Sequence, residues 1–176
     1  MTAPLTDAPK TEPAVLPPHP HRLPIGLGIA ALLVVLDQIS KWWIVGHLMN
    51  PPRRIELTSF FNLVMVWNEG VTFGLGNNVE WARWLFAGLA LVIVVILVGW
   101  LWRSVHFWLL IALGLVIGGA IGNVIDRLRW GAVADFLDFH AFGYHWPAFN
   151  LADAGIVVGV LLLVLDALFG RKESLR

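Results

Sequence analysis

Two aspartates stand out in an otherwise apolar part of the chain, the segment VADFLDFHAFGYHWPAFNLADAG at 133–155. Asp135 is flanked by apolar residues without a basic neighbour, and Asp153 leads into a long apolar run. An aspartate in such surroundings needs a partner across space, and Asp153 is the candidate partner for Asp135. Two carboxyl groups brought close together cannot both ionise easily, so they share one proton and titrate as a pair. The pair therefore predicts acid–base activation of a water molecule.

The two carboxyl groups are not expected to be equivalent. Asp153 lies where the final apolar run begins, and the positive end of a helix favours a charged carboxylate there. Asp135 is then the partner that holds the proton. An acid and a base around one water is the arrangement with which aspartic proteases hydrolyse peptides. The chain has no cysteine, so neither a thiol nucleophile nor a thiolate metal site is available.

The elements that position these residues are predicted to be membrane spans. Hydrophobic residues make up 58% of the 176 residues, charged residues only 14%, and the mean hydropathy is +0.75. This composition is typical of membrane proteins, and the zero net charge argues against nucleic acid as a partner. Four apolar runs are each close to the ~20 residues that cross a hydrocarbon core. The prediction is an all-α membrane protein with four transmembrane helices, at Ile25–Val45, Trp81–Trp102, Val105–Ile125 and Leu151–Phe169.

Polar residues distant in sequence converge on one layer when these spans are placed side by side. With four spans both termini lie on one side, so the ends of spans one and three meet the start of span four. Ionisable groups within or beside the hydrocarbon are costly and mark a functional site by default. Asp135 lies in the loop that follows span three. The other members of the layer are Asp37, Lys41, Asn123, Asp126, Arg127, Asn150 and Asp153.

Three pairs within this layer also have a purely structural explanation. An acid four residues before a base stabilises a helix, and adjacent opposite charges at a helix end form an ion pair. An asparagine three residues before an aspartate resembles a helix cap with its reciprocal partner. The pairs are Asp37 with Lys41, Asp126 with Arg127, and Asn150 with Asp153.

The remaining segments suggest a simple domain organisation. Residues 1–24 hold seven of the ten prolines and predict a disordered cytoplasmic arm, and 171–176 form a basic tail. Between them, 25–170 form the membrane domain. Within it, residues 49–78 contain short β-prone pieces broken by proline and glycine, which predicts a small extracytoplasmic β-platform on the membrane surface. The excess of positive charge on the terminal side is slight, and it favours cytoplasmic termini.

Five motifs resemble the bacterial lipoprotein signal peptidase family, also called signal peptidase II, which are intramembrane aspartic proteases. They occur in the family's order with suitable spacing and cover nearly everything from Asp37 to Gly159. The motifs are DQISK (37–41), NEGVTFG (68–74), GGAIGNVIDR (118–127), GAVADF (131–136) and PAFNLADAGI (147–156).

The resemblance implies a fold, a reaction and a set of site residues. The family removes the signal peptide from prolipoproteins, cutting before a cysteine that carries diacylglycerol, without a metal or cofactor. Its catalytic dyad maps onto Asp135 and Asp153. Its other polar positions map onto Asp37, Lys41, Asn68, Gly70, Asn123, Arg127 and Asn150, and we add Asp126 to this supporting set.

The family's location and partners are carried over as expectations as well. We expect a monomer in the bacterial inner membrane, with the site near the periplasmic face, in contact with membrane lipids and inhibited by the cyclic peptide globomycin. The family's β-cradle would correspond to 49–78, and glycines 70, 74 and 76 would let part of it move as a lid. The proline-rich arm and the residues Asp138, His140 and His145 depart from the family pattern.

Two other classes of function remain as alternatives. Asp135, Asp138, His140 and His145 could ligate zinc in a metalloenzyme or a metal transporter, although no H-E-x-x-H pairing occurs. A non-enzymatic ion or proton carrier could instead use Asp37, Lys41 and Asp126. The broken spans and inverted repeats that are typical of transporters are absent from the sequence.

Overall fold

The computed structural model describes residues 22–70, 80–104 and 106–169. The predicted proline-rich arm, apart from its last residues, and the basic tail lie outside these ranges, as do Gly74 and Gly76. The described elements follow the order α1, β1, β2, α2, α3, β3, β4, α4. Their bounds are α1 Leu23–Trp43, β1 Ile55–Thr58, β2 Phe61–Asn68, α2 Glu80–Arg103, α3 Phe107–Trp130, β3 Val133–Ala141, β4 Tyr144–His145 and α4 Leu151–Phe169.

Four helices are long and apolar enough to cross a membrane, which confirms the predicted spans. The first continues from α1 through a π-helical turn at Ile44–Leu48. Pro24 stands in the first turn of α1, where its missing N–H costs nothing. The third span extends to Trp130, five residues beyond its predicted end, so Asp126 and Arg127 lie inside α3. Gly131 then ends the helix in the left-handed conformation (φ +82°), donating its N–H to the carbonyl oxygen of Arg127.

Helix α3 is the centre of the bundle and packs against α1, α2 and α4. Small residues allow these helices to approach closely. A Cβ atom added to Gly118 would lie 2.6 Å from the carbonyl oxygen of Ala30 in α1. One added to Gly159 of α4 would lie 2.7 Å from the carbonyl oxygen of Ala112 in α3. Such close backbone contact is how helices associate where the lipid is as apolar as their side chains.

The sheet has four antiparallel strands in the order β1-β2-β3-β4. The prediction of strands within 49–78 is confirmed by β1 and β2, but the sheet was wrongly confined to that segment. Its longest strand is β3, which pairs with β2 over Phe61↔Phe139 to Asn68↔Val133. Asp135 therefore lies in a strand, opposite Val66, and not in a loop as predicted. The strand was missed because its aspartates and histidine obscure the alternation of apolar and polar residues.

Candidate active site

Asp135 and Asp153 lie near the two ends of the segment that connects α3 to α4 and contains β3 and β4. Asp135 is the third residue of β3 and is buried, with 1% of its surface exposed. Asp153 lies in the first turn of α4 and is half-buried. The two carboxyl groups are close enough to interact electrostatically. Asn150 contacts both of them, with its amide on Asp135 and its backbone N–H on Asp153, so the two side chains belong to one hydrogen-bonded cluster.

Two asparagine amides hold the carboxyl group of Asp135, one on each oxygen. Asn150 donates from Nδ2 to Oδ1 at 2.7 Å, and Asn68 donates from Nδ2 to Oδ2 at 3.0 Å. Asn68 is the last residue of β2, where the sheet register places it beside the start of β3. A buried carboxyl group with both oxygens hydrogen-bonded is fixed in direction, because rotation would break both bonds.

Asp153 is held by a third asparagine and by the cap of its own helix. Asn123 donates from Nδ2 to Oδ1 at 2.7 Å, and the backbone N–H of Asn150 donates to Oδ2 at 3.2 Å. In return the N–H of Asp153 donates to Oδ1 of Asn150 at 3.0 Å. The sequence interpretation of Asn150 and Asp153 as a reciprocal helix cap is therefore confirmed.

Each asparagine is turned toward an aspartate by a donor on its oxygen side. The N–H of Gly70 donates to Oδ1 of Asn68, and the N–H of Asp153 donates to Oδ1 of Asn150. The ammonium group of Lys41 donates to Oδ1 of Asn123 at 3.2 Å. These three donors have no acceptor capacity, so the amide oxygens must face them and the amide N–H groups must face the carboxyl groups.

Lys41 is the centre of a buried charge network beneath the two aspartates. Its Nζ lies 2.8 Å from Oδ2 of Asp37 and 2.7 Å from Oδ2 of Asp126, and none of the three side chains is exposed. The predicted pair of Asp37 and Lys41 is confirmed. Among the described residues Asp126 forms its ion pair with Lys41, where the sequence suggested Arg127. Arg127 donates from Nη1 to the carbonyl oxygen of Asn123, a carbonyl of the last turns of α3, as expected of a basic residue near a helix end.

The same network ties three elements of the fold to the site. Asp37 accepts the backbone N–H of Ala152 at 3.0 Å, and Asp126 accepts that of Ala134 at 3.2 Å. Ala152 and Ala134 immediately precede Asp153 and Asp135 in sequence. The two carboxylates thus fix the backbone beside each member of the pair, in addition to neutralising Lys41.

The electrostatics of Asp135 agree with its predicted protonated state. Burial raises the pKa of Asp135 from 3.8 to about 6, and the charge of Asp153 adds to the rise. Hydrogen bonds from Asn68 and Asn150 oppose it and leave the pKa above its ordinary value. At a pH below about 6, Asp135 therefore holds a proton.

A groove of about 290 Å³ opens beside the pair between α2, α3 and α4. Its walls are mainly apolar, and Asn123 and Arg127 stand at the polar end. The guanidinium of Arg127 lies 5.7 Å from the ring of Phe86, another residue of the groove, and is within electrostatic reach of Asp153 and Asp135. The groove can take an apolar chain along the helices, with a polar group beside the carboxyl pair.

Of the four residues of the metal alternative, Asp138, His140 and His145 lie near one another, and Asp135 does not join them. Asp135 is separated from Asp138 and His140 by the pleat of β3, which places them on opposite faces. Asp138 pairs with His145 at 2.8 Å and accepts Nδ2 of Asn62 at 2.9 Å. Burial would raise the pKa of Asp138, but these hydrogen bonds and the nearby charges lower it overall. Across 22–70, 80–104 and 106–169, no three His, Asp or Glu side chains group as metal ligands.

Two residues of the site were missed by the sequence reasoning. Gln38 donates from Nε2 to both Asp37 and Asp126, at 3.1 and 2.9 Å, and so joins the two carboxylates. Its place beside Asp37 in a transmembrane helix was the available signal. Gly122 is the second, since a Cβ atom there would lie 2.6 Å from Oδ2 of Asp37. Only a residue without a side chain fits between α3 and this carboxylate.

Comparison with known proteins gives one consistent family. A sequence model described as signal peptidase (SPase) II matches residues 29–169. The lipoprotein signal peptidase of Rhizorhabdus wittichii is 48% identical over 159 residues, which cover 88% of this chain and 91% of that protein. The lipoprotein signal peptidase of Caulobacter vibrioides is 44% identical over 153 residues, covering 86% and 90%.

Solved structures give the same fold. Two structures of a bacterial membrane enzyme, determined by the in meso method, superpose with TM-scores of 0.71 and 0.72. Each is 30% identical to this chain in sequence. The superposition with the first structure covers 85% of this chain and 92% of the solved chain, and that with the second covers 84% and 94%.

Proposed function

The chain belongs to the signal peptidase II family, and on that premise we propose that it is an aspartic endopeptidase of the lipoprotein signal peptidase type. It is a multi-pass membrane protein and a peptidase by that membership. We assign the reaction to Asp135 and Asp153, and the supporting roles to Asp37, Lys41, Asn68, Gly70, Asn123, Asp126, Arg127 and Asn150.

The observation that supports this assignment is the pair of aspartates held by asparagines whose orientation is fixed. Asp135 and Asp153 come from different elements, yet Asn150 contacts both of them. A structural ion pair would bring a cation to such carboxylates, as Lys41 does for Asp37 and Asp126. The asparagines give neutral donors instead, which leave the pair able to hold and exchange a single proton.

In the proposed reaction each aspartate transfers a proton twice. Asp153, as the carboxylate, takes a proton from a water molecule while the hydroxide oxygen bonds to the carbonyl carbon of the scissile peptide. Asp135 gives its proton to the carbonyl oxygen, which leaves a neutral tetrahedral diol. The C–N bond then breaks as Asp153 returns its proton to the leaving nitrogen and Asp135 removes one from a diol hydroxyl. Both residues end in their starting states.

Substrate selection is proposed to depend on the groove between α2, α3 and α4. The acyl chains of a diacylglyceryl cysteine match its apolar walls, and the peptide would then lie beside the carboxyl pair, where Arg127 is available for its carbonyl groups. If the bound lipid fixes which peptide bond lies beside the carboxyl pair, cleavage occurs before that cysteine. Binding energy from the lipid would then position the scissile bond.

Location and partners complete the proposal. We place the protein in the bacterial inner membrane as a monomer, with cytoplasmic termini and with the site near the periplasmic face. There it would meet prolipoproteins that already carry diacylglycerol, as well as membrane lipids. Globomycin, as a cyclic peptide inhibitor of the family, would occupy the site in competition with substrate.

The proposal is tested by incubating purified protein with a diacylglyceryl-modified prolipoprotein and following the loss of the signal peptide on a gel. We expect cleavage before the lipidated cysteine, inhibition by globomycin, and much slower cleavage of the same precursor without lipid. Equal cleavage of both precursors would contradict the role of the lipid. Activity that chelators abolish, with one bound zinc ion per chain, would favour the metalloenzyme alternative.

A further inference from the structure

One aromatic ring of α2 lies against the groove while the others face outward. Phe86 is half-buried and lines the groove together with Asn123 and Arg127. The other aromatic residues of α2 are exposed tryptophans, namely Trp81, Trp84, Trp100 and Trp102. Amphipathic rings of that kind favour the membrane–water interface, which explains their exposure. The inward position of Phe86 has a different explanation, which follows from the two groups that its ring contacts.

The ring of Phe86 packs directly against the backbone of Gly70, just after the end of β2. A Cβ atom added to Gly70 would lie 2.9 Å from both Cδ2 and Cε2 of that ring, which is too close for a side chain. Gly70 also has a φ of +80°, a conformation that other residues rarely adopt. Its N–H donates to Oδ1 of Asn68, whose amide holds Asp135. Phe86 therefore packs against the turn that orients an asparagine on the Asp135 side of the site.

The same ring contacts Arg127 on the Asp153 side of the site. The guanidinium lies 5.7 Å from the ring of Phe86, within the range of a cation–π interaction. Nη1 of Arg127 donates to the carbonyl oxygen of Asn123, and the amide of Asn123 holds Asp153. An arginine side chain has many rotamers, so an aromatic face and a carbonyl together restrict its direction. One ring thus contacts a neighbour of each aspartate.

We propose that Phe86 is a positioning residue of the peptidase reaction, which holds the Gly70 turn and the Arg127 guanidinium where the carboxyl pair requires them. This inference rests on the proposed function and adds an apolar residue to its supporting set. A leucine or methionine in this place would still be apolar but would leave Arg127 without an aromatic face. Because small displacements at a reacting centre slow the reaction strongly, the loss should appear in kcat more than in KM.

The test is steady-state cleavage of a diacylglyceryl-modified prolipoprotein by the full-length parent, Phe86→Leu and Phe86→Tyr proteins in detergent. We expect Phe86→Leu to lose roughly tenfold or more in kcat while KM changes less, and Phe86→Tyr, which keeps the aromatic face, to stay close to the parent. Phe107→Leu is the matched control, since it makes the same exchange at an exposed ring where α3 begins, at the opposite end of the spans. Circular dichroism and the thermal midpoint check that each variant is folded.

Each other result would overturn the positioning role. A folded Phe86→Leu protein with the kcat of the parent would contradict it, and a change confined to KM would make Phe86 only a wall of the groove. Equal losses in Phe86→Leu and Phe86→Tyr would show that the aromatic face is not what the site requires, and an equal loss in Phe107→Leu would indicate a general effect of removing a ring.

Two further results are distinguished from these. If the Phe86→Leu protein does not fold, Phe86→Met is measured in its place, because it also removes the ring, and the same outcomes decide the question. A parent protein that does not cleave the lipidated precursor would contradict the proposed function itself, and the role of Phe86 with it. Cleavage by the parent with an unchanged kcat in the folded variant would contradict the role of Phe86 alone.

Discussion

At the scale of single residues, the burial of Asp135 couples the stability of the protein to pH. Its pKa is about 6 in the folded state against 3.8 as the ordinary value, so the folded state binds the proton more tightly. Stability from this group is fully present below pH 3.8 and is lost as the pH rises toward about 6. A shift of this size corresponds to about 3 kcal/mol.

The first prediction compares the wild type with Asp135→Asn, whose amide does not titrate. Between about pH 4 and about pH 7, the thermal midpoint of the wild type should fall relative to that of the variant. The measurement is thermal unfolding in detergent across this range, with both proteins in the same buffers. Parallel curves for the two proteins would show that Asp135 is not buried as a protonated group.

The second prediction concerns the charge network, in which Lys41 is the cation shared by the carboxylates of Asp37 and Asp126. Lys41→Met leaves the carboxylates of Asp37 and Asp126 buried without their cation, which should cost about 3–5 kcal/mol of unfolding free energy. Asp37→Asn should cost less, because Lys41 keeps its contact with Asp126. Reversible unfolding in mixed micelles gives both values, and the opposite order would mean that Asp37, and not Lys41, organises the network.

At the scale of elements, the packing of α3 depends on glycines at its contacts with other helices. The third prediction is that Gly118→Ala destabilises the protein by about 1–3 kcal/mol, because the new methyl group meets the backbone of Ala30. Gly99→Ala in α2 is the matched control. Nothing lies within 4 Å of a Cβ atom there, and alanine favours the helix. If the thermal midpoints of both variants fall by the same amount, α1 and α3 are not in close contact.

The helices were easier to predict from sequence than the sheet, for a physical reason. A span is a local property of about twenty consecutive residues, so each apolar run shows its helix directly. The strand β3 depends on pairing with β2, which is some seventy residues earlier in the chain, and its own pattern is irregular. Asp135 was consequently placed at the correct end of the bundle but in a loop. The end of α3 was misplaced because Asp126 and Arg127 resemble residues of a helix terminus, whereas they are held inside the bundle.

At the scale of the whole molecule, the convergence of the polar residues follows from the number and direction of the spans. That part of the site was predictable, because one connected set of hydrogen bonds and ion pairs does join residues from the different spans. They are Asp37, Lys41, Asn123, Asp126, Asn150 and Asp153. The orientation of each asparagine was not predictable, since it depends on donors from three different elements. The role of Gln38 as a link between two carboxylates depends in the same way on the packing of α1 against α3.

The fourth prediction tests the groove as the binding site for the acyl chains of the substrate. Ala120→Leu places a larger side chain in the groove wall and should raise KM for lipidated precursor several-fold, with a smaller effect on kcat. The control is Ala31→Leu, an exposed position of α1, and the groove is lined by residues of α2, α3 and α4. Steady-state cleavage of lipidated precursor measures both parameters. If the two variants keep the KM of the parent, the acyl chains bind elsewhere.

The most direct test of the central proposal is the cleavage rate of Asp135→Asn and Asp153→Asn on a diacylglyceryl-modified prolipoprotein. Asp138→Asn is the matched control, because Asp138 is also a buried aspartate of β3 but contacts Asn62 and His145 instead of Asp153. An amide cannot give or take the proton, so each dyad variant should lose at least about 10²–10⁴-fold in rate while its helical content stays unchanged. The Asp138→Asn protein should retain a rate close to that of the parent. Near-parent turnover by either the Asp135→Asn or the Asp153→Asn protein would contradict the assignment of the dyad.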